Sequence, residues 1–327
     1  MQNAYDALLV LSFGGPERPE DVMPFLENVT RGRNVPRERL LEVAEHYYHF
    51  GGKSPINDQN RALIAALRES FAVEGVKLPI YWGNRNWHPL LADTVRQMRD
   101  DGVRYAAAFF TSAFGSYSGC RQYLEDLARA QEQIGSGAPE FCKLPAFWCN
   151  PGYIEPMVEN VANAIAQLGG TPHLIFTAHS VPIAMADTSP YVGQLMETAS
   201  LVASAVGVKG WRLVYQSRSG APGQPWLEPD VLDYIREFHS SGGHDLVIAP
   251  IGFVSDHMEV LYDLDTEARQ LCKDLRVRMV RAQTVGTHPR FVRMIREQLS
   301  VACQICAPDC CPRAFKLGAA PLQEVHR

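Results

Sequence analysis

Short apolar runs recur along the chain, and amphipathic stretches separate them. In the first half the runs lie at 7–11, 78–82, 105–110 and, more weakly, 140–147. In the second half they lie at 173–178, 211–215, 245–250 and 277–280. The stretches 62–71 and 154–168 carry apolar residues at helical spacing. Runs that are apolar throughout predict strands buried on both faces, and their alternation with helices predicts an α/β fold.

The repetition divides the chain into two similar halves, 1–150 and 151–300, followed by a tail at 301–327. Each half is predicted to be a Rossmann-like lobe, which is a parallel sheet flanked by helices. Ligands of such sheets bind beyond the carboxyl ends of the strands. Polar residues that directly follow an apolar run are therefore the first candidates for a functional site.

One histidine stands at the end of the first run of the second half. His179 is followed within three residues by Pro182, which is expected to stop the strand. A neutral imidazole can accept a proton near pH 7 or bind a divalent metal ion. His179 is therefore the lead catalytic candidate, and a histidine with a purely structural role is the alternative.

A row of acidic residues follows the third run of the same half. Ser255 or Asp256 is expected to cap a helix, on which Glu259, Asp263 and Glu267 lie along one side. The row drifts by about 80° over two turns of regular α-helix, and by less if a π-bulge widens the turn. Like charges at this spacing repel each other, so the row does not stabilise the helix. It either guides a cation inward or forms a solvated acidic face.

Composition excludes several classes of protein. The chain has 327 residues, is 46% hydrophobic and carries a formal charge of −5, so a large core is expected and a nucleic-acid interface is not. No run approaches the ~20 apolar residues of a membrane span, and the first six residues lack the pattern of a signal peptide. We therefore expect a cytoplasmic protein without a membrane span.

Half of the eight cysteines lie within nine residues, at Cys303, Cys306, Cys310 and Cys311. Thiolates at this spacing in a proline-containing loop can converge on one metal cluster. Three ligands from the tail would need a fourth from elsewhere in the chain. A structural zinc site or disulfides are the alternatives, because four thiolates also suit tetrahedral Zn²⁺.

Several stretches resemble the signatures of the ferrochelatase family. They are the strand end AHSVP and the segment GFVSDHMEVLYDLDTEA, together with LLVLSFGGPE, FLENVTRGR, HYYHFGGKSPIN, YWGNRNWHP and YQSRSGAPGQPWLEPD. The resemblance covers nearly the whole chain in order and is strongest to the coproporphyrin ferrochelatases of actinobacteria. It implies a chelatase-like fold and a lyase of heme biosynthesis that inserts Fe(II) into coproporphyrin III to give coproheme. Protoporphyrin IX, giving protoheme, is the alternative substrate.

The resemblance also assigns residues. It makes His179 and Glu259 the catalytic pair that binds the substrate iron, and Asp263 and Glu267 the acidic path of the metal. The porphyrin contacts that it implies are Phe13, Arg31, Lys53, Ser54 and Tyr117. Phe13 stands where some relatives have a metal-contacting tyrosine, and His46 stands where relatives have arginine. Arg33 lies in the same matching stretches.

A [2Fe–2S] cluster is implied as well. Relatives with a cluster show C-x2-C-x4-C near the C-terminus, which selects Cys303, Cys306 and Cys311 here and leaves Cys310 as the spare. The fourth ligand comes from the first half in such relatives, and Cys120 is the first choice, with Cys142 next. A cluster that joins the tail to the first lobe is expected to have a structural role.

We expect a porphyrin as the bound partner, a monomer, and transient contact with other enzymes of heme synthesis. Two other classes of protein fit the sequence less well. A nucleotide-dependent oxidoreductase should have the third glycine of the dinucleotide fingerprint, which the turn at 13–17 lacks. The segment 51–54 is no phosphate loop either, because Tyr47 replaces the required glycine. A non-catalytic tetrapyrrole or metal carrier would not need both His179 and Glu259.

Overall fold

The strands form two separate parallel sheets in the computed structural model, which describes residues 5–32, 35–219 and 223–313. The first sheet has the order β2-β1-β3-β4 and consists of Ala7–Ser12 (β1), Ile80–Asn84 (β2), Tyr105–Phe110 (β3) and Glu140–Lys143 (β4). The second sheet has the order β6-β5-β7-β8 and consists of His173–His179 (β5), Trp211–Gln216 (β6), Asp245–Ala249 (β7) and Arg278–Arg281 (β8). Every pairing is parallel, which confirms the predicted fold class.

Helices cover both faces of each sheet. They are Pro19–Val29 (α1), Arg37–His49 (α2), Ile56–Val73 (α3), Leu91–Asp100 (α4), Gln122–Ile134 (α5), Pro151–Leu168 (α6), Ile183–Ala186 (α7), Tyr191–Ala205 (α8), Val231–Ser240 (α9), Met258–Val260 (α10), Arg269–Asp274 (α11) and Pro289–Gln298 (α12). Two π-helical segments, Tyr117–Arg121 and Leu261–Ala268, adjoin α5 and α11. None of the described helices is long and apolar enough to cross a bilayer.

The central strands are buried on both sides, as the pattern predicts, whereas the edge strands β2, β4 and β8 are partly exposed. All six residues of β1 are buried. Leu8 and Val10 join a core that extends into the second lobe, whereas Leu9 and Leu11 pack with residues of α4 and α5. The run at 140–147 is the one that the structure shortens most. The strand β4 ends at Lys143, close before Pro145, which has no N–H to continue the ladder.

The two lobes are joined by packing and by hydrogen bonds. Helix α12, from the second half of the chain, packs against α3 of the first lobe and against α6. The side chain of Gln59 on α3 accepts a hydrogen bond from the Asp256 N–H at 2.8 Å and donates one to the Asp256 carbonyl at 2.7 Å. The loop that precedes the acidic row is therefore held by the opposite lobe. The domain limits given above stay a prediction.

Candidate active site at the strand ends

His179 is the last residue of β5, so its side chain lies where the central strand of the second sheet ends. The hydroxyl of Tyr191 on α8 donates to the His179 carbonyl at 2.9 Å and fixes the backbone there. The ring Nδ1 contacts the Ser180 carbonyl oxygen, which can only accept, so Nδ1 carries a hydrogen. The opposite ring nitrogen, Nε2, is thereby directed at Glu259.

Glu259 faces the histidine across the edge of the sheet. The distance from His179 Nε2 to Glu259 Oε1 is 3.6 Å. The loop after β7 brings the two together, because its Gly252 N–H donates to the Thr177 carbonyl at 3.0 Å. A Cβ at Gly252 would lie 2.6 Å from the Cα of Ala178. The loop can therefore approach β5 this closely only with glycine at this position.

The two side chains hold each other in the charged state. They are 32% and 43% exposed, at the wall of the cleft. Burial opposes charge on both, but the attraction between them outweighs burial, so the pKa of His179 is raised and the pKa of Glu259 is lowered. In the absence of a substrate, the pair is an imidazolium and a carboxylate at neutral pH.

The acidic row begins with Glu259 on α10 and continues with Asp263 and Glu267 on the π-helical segment Leu261–Ala268. Asp263 accepts hydrogen bonds from the Ser217 hydroxyl and, at 3.3 Å, from Gln216 Nε2, both at the end of β6. Burial raises the pKa of Asp263 to about 7, and the charge of Glu259 adds to this effect. Glu267, the last of the row, is exposed. The row thus runs from the partner of His179 out to solvent.

The start of this helix differs from the prediction of Ser255 or Asp256 as its cap. The capping group is His257, whose Nδ1 accepts from the Glu259 N–H at 3.2 Å. Asp256 is not available as the cap, because its carboxylate pairs with Arg281 at 3.0 Å. Burial, together with the nearby His179, keeps the pKa of His257 low. His257 is therefore a neutral imidazole that is hydrogen-bonded to the backbone of Glu259.

Several of these supporting residues were missed by the sequence reasoning. Gln216 and Ser217 directly follow a predicted strand, so the strand-end rule could have found them. Gln59 and Tyr191 lie inside helices, and no local pattern marks them. Their roles depend on contacts between residues far apart in the chain.

An aromatic contact closes the site from the side of the first lobe. His46 on α2 stacks on Tyr262 of the acidic helix, with ring centroids 3.7 Å apart and an interplanar angle of 10°. Tyr47 lies beside His46, and burial, with the charge of Glu259, raises its pKa. Helix α2 therefore reaches the π-helical segment Leu261–Ala268 through His46.

The predicted porphyrin contacts lie mainly near the ends of the first-lobe elements. Phe13 directly follows β1 and packs edge-on against Phe25 at 6.2 Å. Arg31 is exposed in the turn after α1. Lys53 pairs with Asp58 at 2.5 Å. The other two are enclosed: Ser54 is buried beneath Gly15, and the Tyr117 hydroxyl donates to Glu125 at 3.0 Å. Arg33 lies outside the described residues.

The cysteines separate into two groups. Cys120, at the π-helical start of α5, lines a cavity of about 60 Å³ together with Cys306, Cys310 and Cys311. Cys303, which was predicted as a ligand, does not line this cavity and is joined to Cys142 by a disulfide. Four free thiols around one space fit a cluster with four thiolate ligands. Within the described ranges, no group of three or more His, Cys, Asp or Glu side chains is arranged so that it could hold a metal ion.

Two parallel four-stranded sheets with a histidine and a carboxylate at the strand ends define a fold of the chelatase type. The sirohydrochlorin chelatase SirB of Bacillus subtilis subspecies spizizenii, solved with cobalt, superimposes with a TM-score of 0.54 at 12% identity over 90% of this chain and 93% of SirB. A second SirB structure from Bacillus subtilis, with Fe³⁺, gives a TM-score of 0.56 at 13% identity, over 90% and 95%. These similarities concern the fold.

The sequence identifies the family. The ferrochelatase family model matches residues 5–301, so the chain belongs to the ferrochelatase family, whose enzymes are lyases that insert a metal into a porphyrin. The chain is 55% identical to a ferrochelatase of Rhodopirellula baltica, over 98% of each chain. It is 49% identical to a coproporphyrin III ferrochelatase of Streptomyces coelicolor, over 97% and 96%, and 51% identical to one of Mycobacteroides abscessus, over 89% and 86%.

Proposed function

We propose that this enzyme inserts Fe²⁺ into coproporphyrin III, with His179 and Glu259 as the residues that contact the reacting centre. The single observation that carries this proposal is the His179–Glu259 pair at 3.6 Å, from which an acidic row leads to solvent. The names of relatives about half identical to this chain support coproporphyrin III as the substrate. Asp263 and Glu267 are proposed to pass the hydrated cation inward.

The proton balance sets a requirement on the pair. Insertion releases two pyrrole protons for each Fe²⁺, yet His179 already holds a proton in the resting enzyme because Glu259 raises its pKa. His179 must lose this proton before it can accept one from the macrocycle. Asp263, with a pKa of about 7, is the nearby group that exchanges protons at working pH. We infer that protons leave along the same row by which the cation enters.

The rim of the cleft supports the more polar porphyrin. The segment between Arg33 and Gly51, predicted to be a shortened apolar lip, contains helix α2, which carries five charged residues. Its large exposed apolar side chains are Leu41 and Tyr48, at 46% and 40% exposure. Coproporphyrin has four carboxylates and protoporphyrin has two. A charged rim offers little apolar surface to the less polar ring. The contacts of Phe13, Arg31, Lys53, Ser54 and Tyr117 with the porphyrin remain part of this proposal.

Anaerobic insertion of Fe²⁺ tests the proposal. Both porphyrins are offered at matched concentrations, and formation of the metallated product is followed by absorbance. We expect a higher kcat/KM with coproporphyrin III, and loss of insertion with both porphyrins in Glu259→Gln. A higher kcat/KM with protoporphyrin IX would overturn the substrate assignment. Binding of either porphyrin without any insertion would instead favour the non-catalytic carrier.

We propose further that the enzyme holds a [2Fe–2S] cluster on Cys120, Cys306 and Cys311, with Cys303 or Cys310 as the fourth ligand. The shared cavity of four thiols supports this set. A bound cluster would supply a rigid link between the tail and the first lobe. The Arg121 side chain already makes such a link, since it donates to the Cys310 carbonyl at 2.8 Å. The substitution Cys306→Ser is expected to lower the melting temperature of the protein. An unchanged melting temperature would contradict the structural role.

A cytoplasmic location, a monomeric state and transient contacts with other enzymes of heme synthesis complete the proposal. They derive from the resemblance to the family. Gel filtration measures the monomeric state directly.

A further inference from the structure

Cys142 and Cys303 are paired across a large separation in the chain. Cys142 lies on β4 and Cys303 in the tail, 161 residues later, and the structure joins their sulfurs with Cα atoms 5.3 Å apart. Disulfides usually have Cα separations of about 4.4–6.8 Å, so the two backbones are placed for a bond without displacement.

The surroundings of the pair hold both partners in place. The Gln304 N–H donates to the Lys143 carbonyl at 2.9 Å, directly beside the two cysteines. The Gln304 side-chain oxygen accepts from Lys143 Nζ at 2.6 Å and from the Ala146 N–H at 2.9 Å. The tail is therefore hydrogen-bonded to the edge strand β4 at this point, which places Cys303 next to Cys142.

Two tyrosine hydroxyls contact the sulfurs from the strand side. Tyr5 lies 3.0 Å from Cys142 Sγ, and Tyr105 lies 3.2 Å from Cys303 Sγ. Cys142 is 2% exposed. Neither hydroxyl belongs to the catalytic cleft. The pair is thus a packed, polar-lined site of its own.

The remaining tail thiols face elsewhere. Cys310 Sγ is 3.6 Å from Cys311 Sγ, and both line the cavity that also contains Cys120 and Cys306. Cys303 packs instead against the apolar core. Cys310 therefore occupies the place in the thiol group that the C-x2-C-x4-C spacing gives to Cys303.

We propose that Cys142 and Cys303 form a reversible disulfide that fastens the tail to β4, and that Cys310 joins Cys120, Cys306 and Cys311 as the fourth cluster ligand. The second part rests on the proposed cluster. When the disulfide forms, the two thiols lose two protons and two electrons, and a low-molecular-weight disulfide such as oxidised glutathione is reduced to two thiols. Because the cytosol keeps most thiols reduced, such a bond responds to the redox state of the cell.

Differential alkylation of the full-length protein in glutathione buffers tests the first part. Free thiols are blocked with one reagent, disulfides are reduced and labelled with a second, and peptides are identified by mass spectrometry. We expect Cys142 and Cys303 to gain the second label together as the buffer becomes oxidising, while the buried Cys272, which lacks a disulfide partner, serves as control. In Cys142→Ser, Cys303 should take the first label in the same buffer. Blocking of both cysteines by the first reagent in the most oxidising buffer would overturn the proposal.

Anaerobic reconstitution with Fe²⁺ and sulfide tests the second part. Visible absorbance and bound iron are measured for wild type, Cys303→Ser and Cys310→Ser. We expect Cys303→Ser to retain the absorbance and Cys310→Ser to lose it. The reverse result would overturn Cys310 as the ligand. If wild type gains no absorbance, the proposed cluster itself fails, and the labelling result still decides whether the disulfide forms.

Discussion

Replacement of Asp263 by asparagine should stabilise the protein, and more so at high pH. The pKa of this carboxyl is about 7 in the folded chain, against 3.8 without the fold. The folded state therefore binds the proton more tightly. The contribution of Asp263 to the free energy of unfolding is therefore most favourable below pH 3.8 and falls as the pH rises towards 7. Asparagine fits the same position, because its carbonyl can still accept from Ser217 and Gln216.

The magnitude follows from the difference between the two pKa values. Each pKa unit corresponds to ~1.4 kcal/mol, so a charged Asp263 costs at most about 4 kcal/mol. Solvent reaches the half-buried side chain and reduces this to about 2 kcal/mol. A little over half of that cost falls between pH 5 and pH 8. We therefore expect the advantage of Asp263→Asn over wild type to grow by about 1 kcal/mol across this range.

Urea unfolding at pH 5, 6, 7 and 8, followed by tryptophan fluorescence, measures this difference. The variant is compared with wild type at each pH, which removes the contribution of all other titrating groups. Asp233→Asn is the matched control, because that side chain is 75% exposed on α9. Its difference from wild type should stay within about 0.5 kcal/mol. A difference for Asp263→Asn that is constant, or that shrinks with rising pH, would refute the link between burial, Glu259 and the raised pKa.

Three further predictions concern other parts of the site. His179→Ala should lower Fe²⁺ insertion at least ~100-fold without a change in the far-UV circular dichroism spectrum, and near-normal insertion would contradict its role. Gly252→Ala should destabilise the protein by about 1–3 kcal/mol in urea unfolding, because the new Cβ would lie 2.6 Å from Ala178, and wild-type stability would show that the loop can move away. Gln59→Leu should lower the free energy of unfolding by about 2 kcal/mol and slow insertion, because both hydrogen bonds to the Asp256 backbone are lost. Gln59→Glu should retain the bond from the Asp256 N–H, and its losses of stability and of insertion rate should be smaller.

The sequence predicts the sheets well because their signal is local. The run at 105–110 coincides with β3, and the other strands begin or end within a few residues of the predicted runs. The strand-end rule selects His179 and the acidic segment for the same reason: both follow a buried run directly. Strands that are apolar throughout need a sheet covered on both faces, and a parallel sheet flanked by helices is the usual fold that provides this cover.

The contacts that complete the site join residues far apart in the chain. His46 and Tyr262 are separated by more than 200 positions, and neither has a sequence pattern that predicts their stacking. The cysteines show a related limit. Spacing can identify a group of thiols, but it cannot decide whether Cys303 or Cys310 belongs to that group, because both are cysteines of the same tail. Only the course of the tail beside β4 distinguishes them. The cap at His257 differs from prediction because Arg281, a distant residue, engages Asp256.

The two hydrogen bonds between Gln59 and Asp256 have a consequence for how a rigid, flat molecule reaches His179 and Glu259. Together with the packing of α12 on α3, they fasten one lobe to the other directly beside the loop that carries Glu259. A hinge rotation that separates the two lobes would break these hydrogen bonds and this packing, and would displace Glu259. We expect a local movement to be easier, in which α2 shifts and the His46–Tyr262 stack separates. The rate of turnover should then depend on how easily α2 moves, and little on the relative motion of the two lobes.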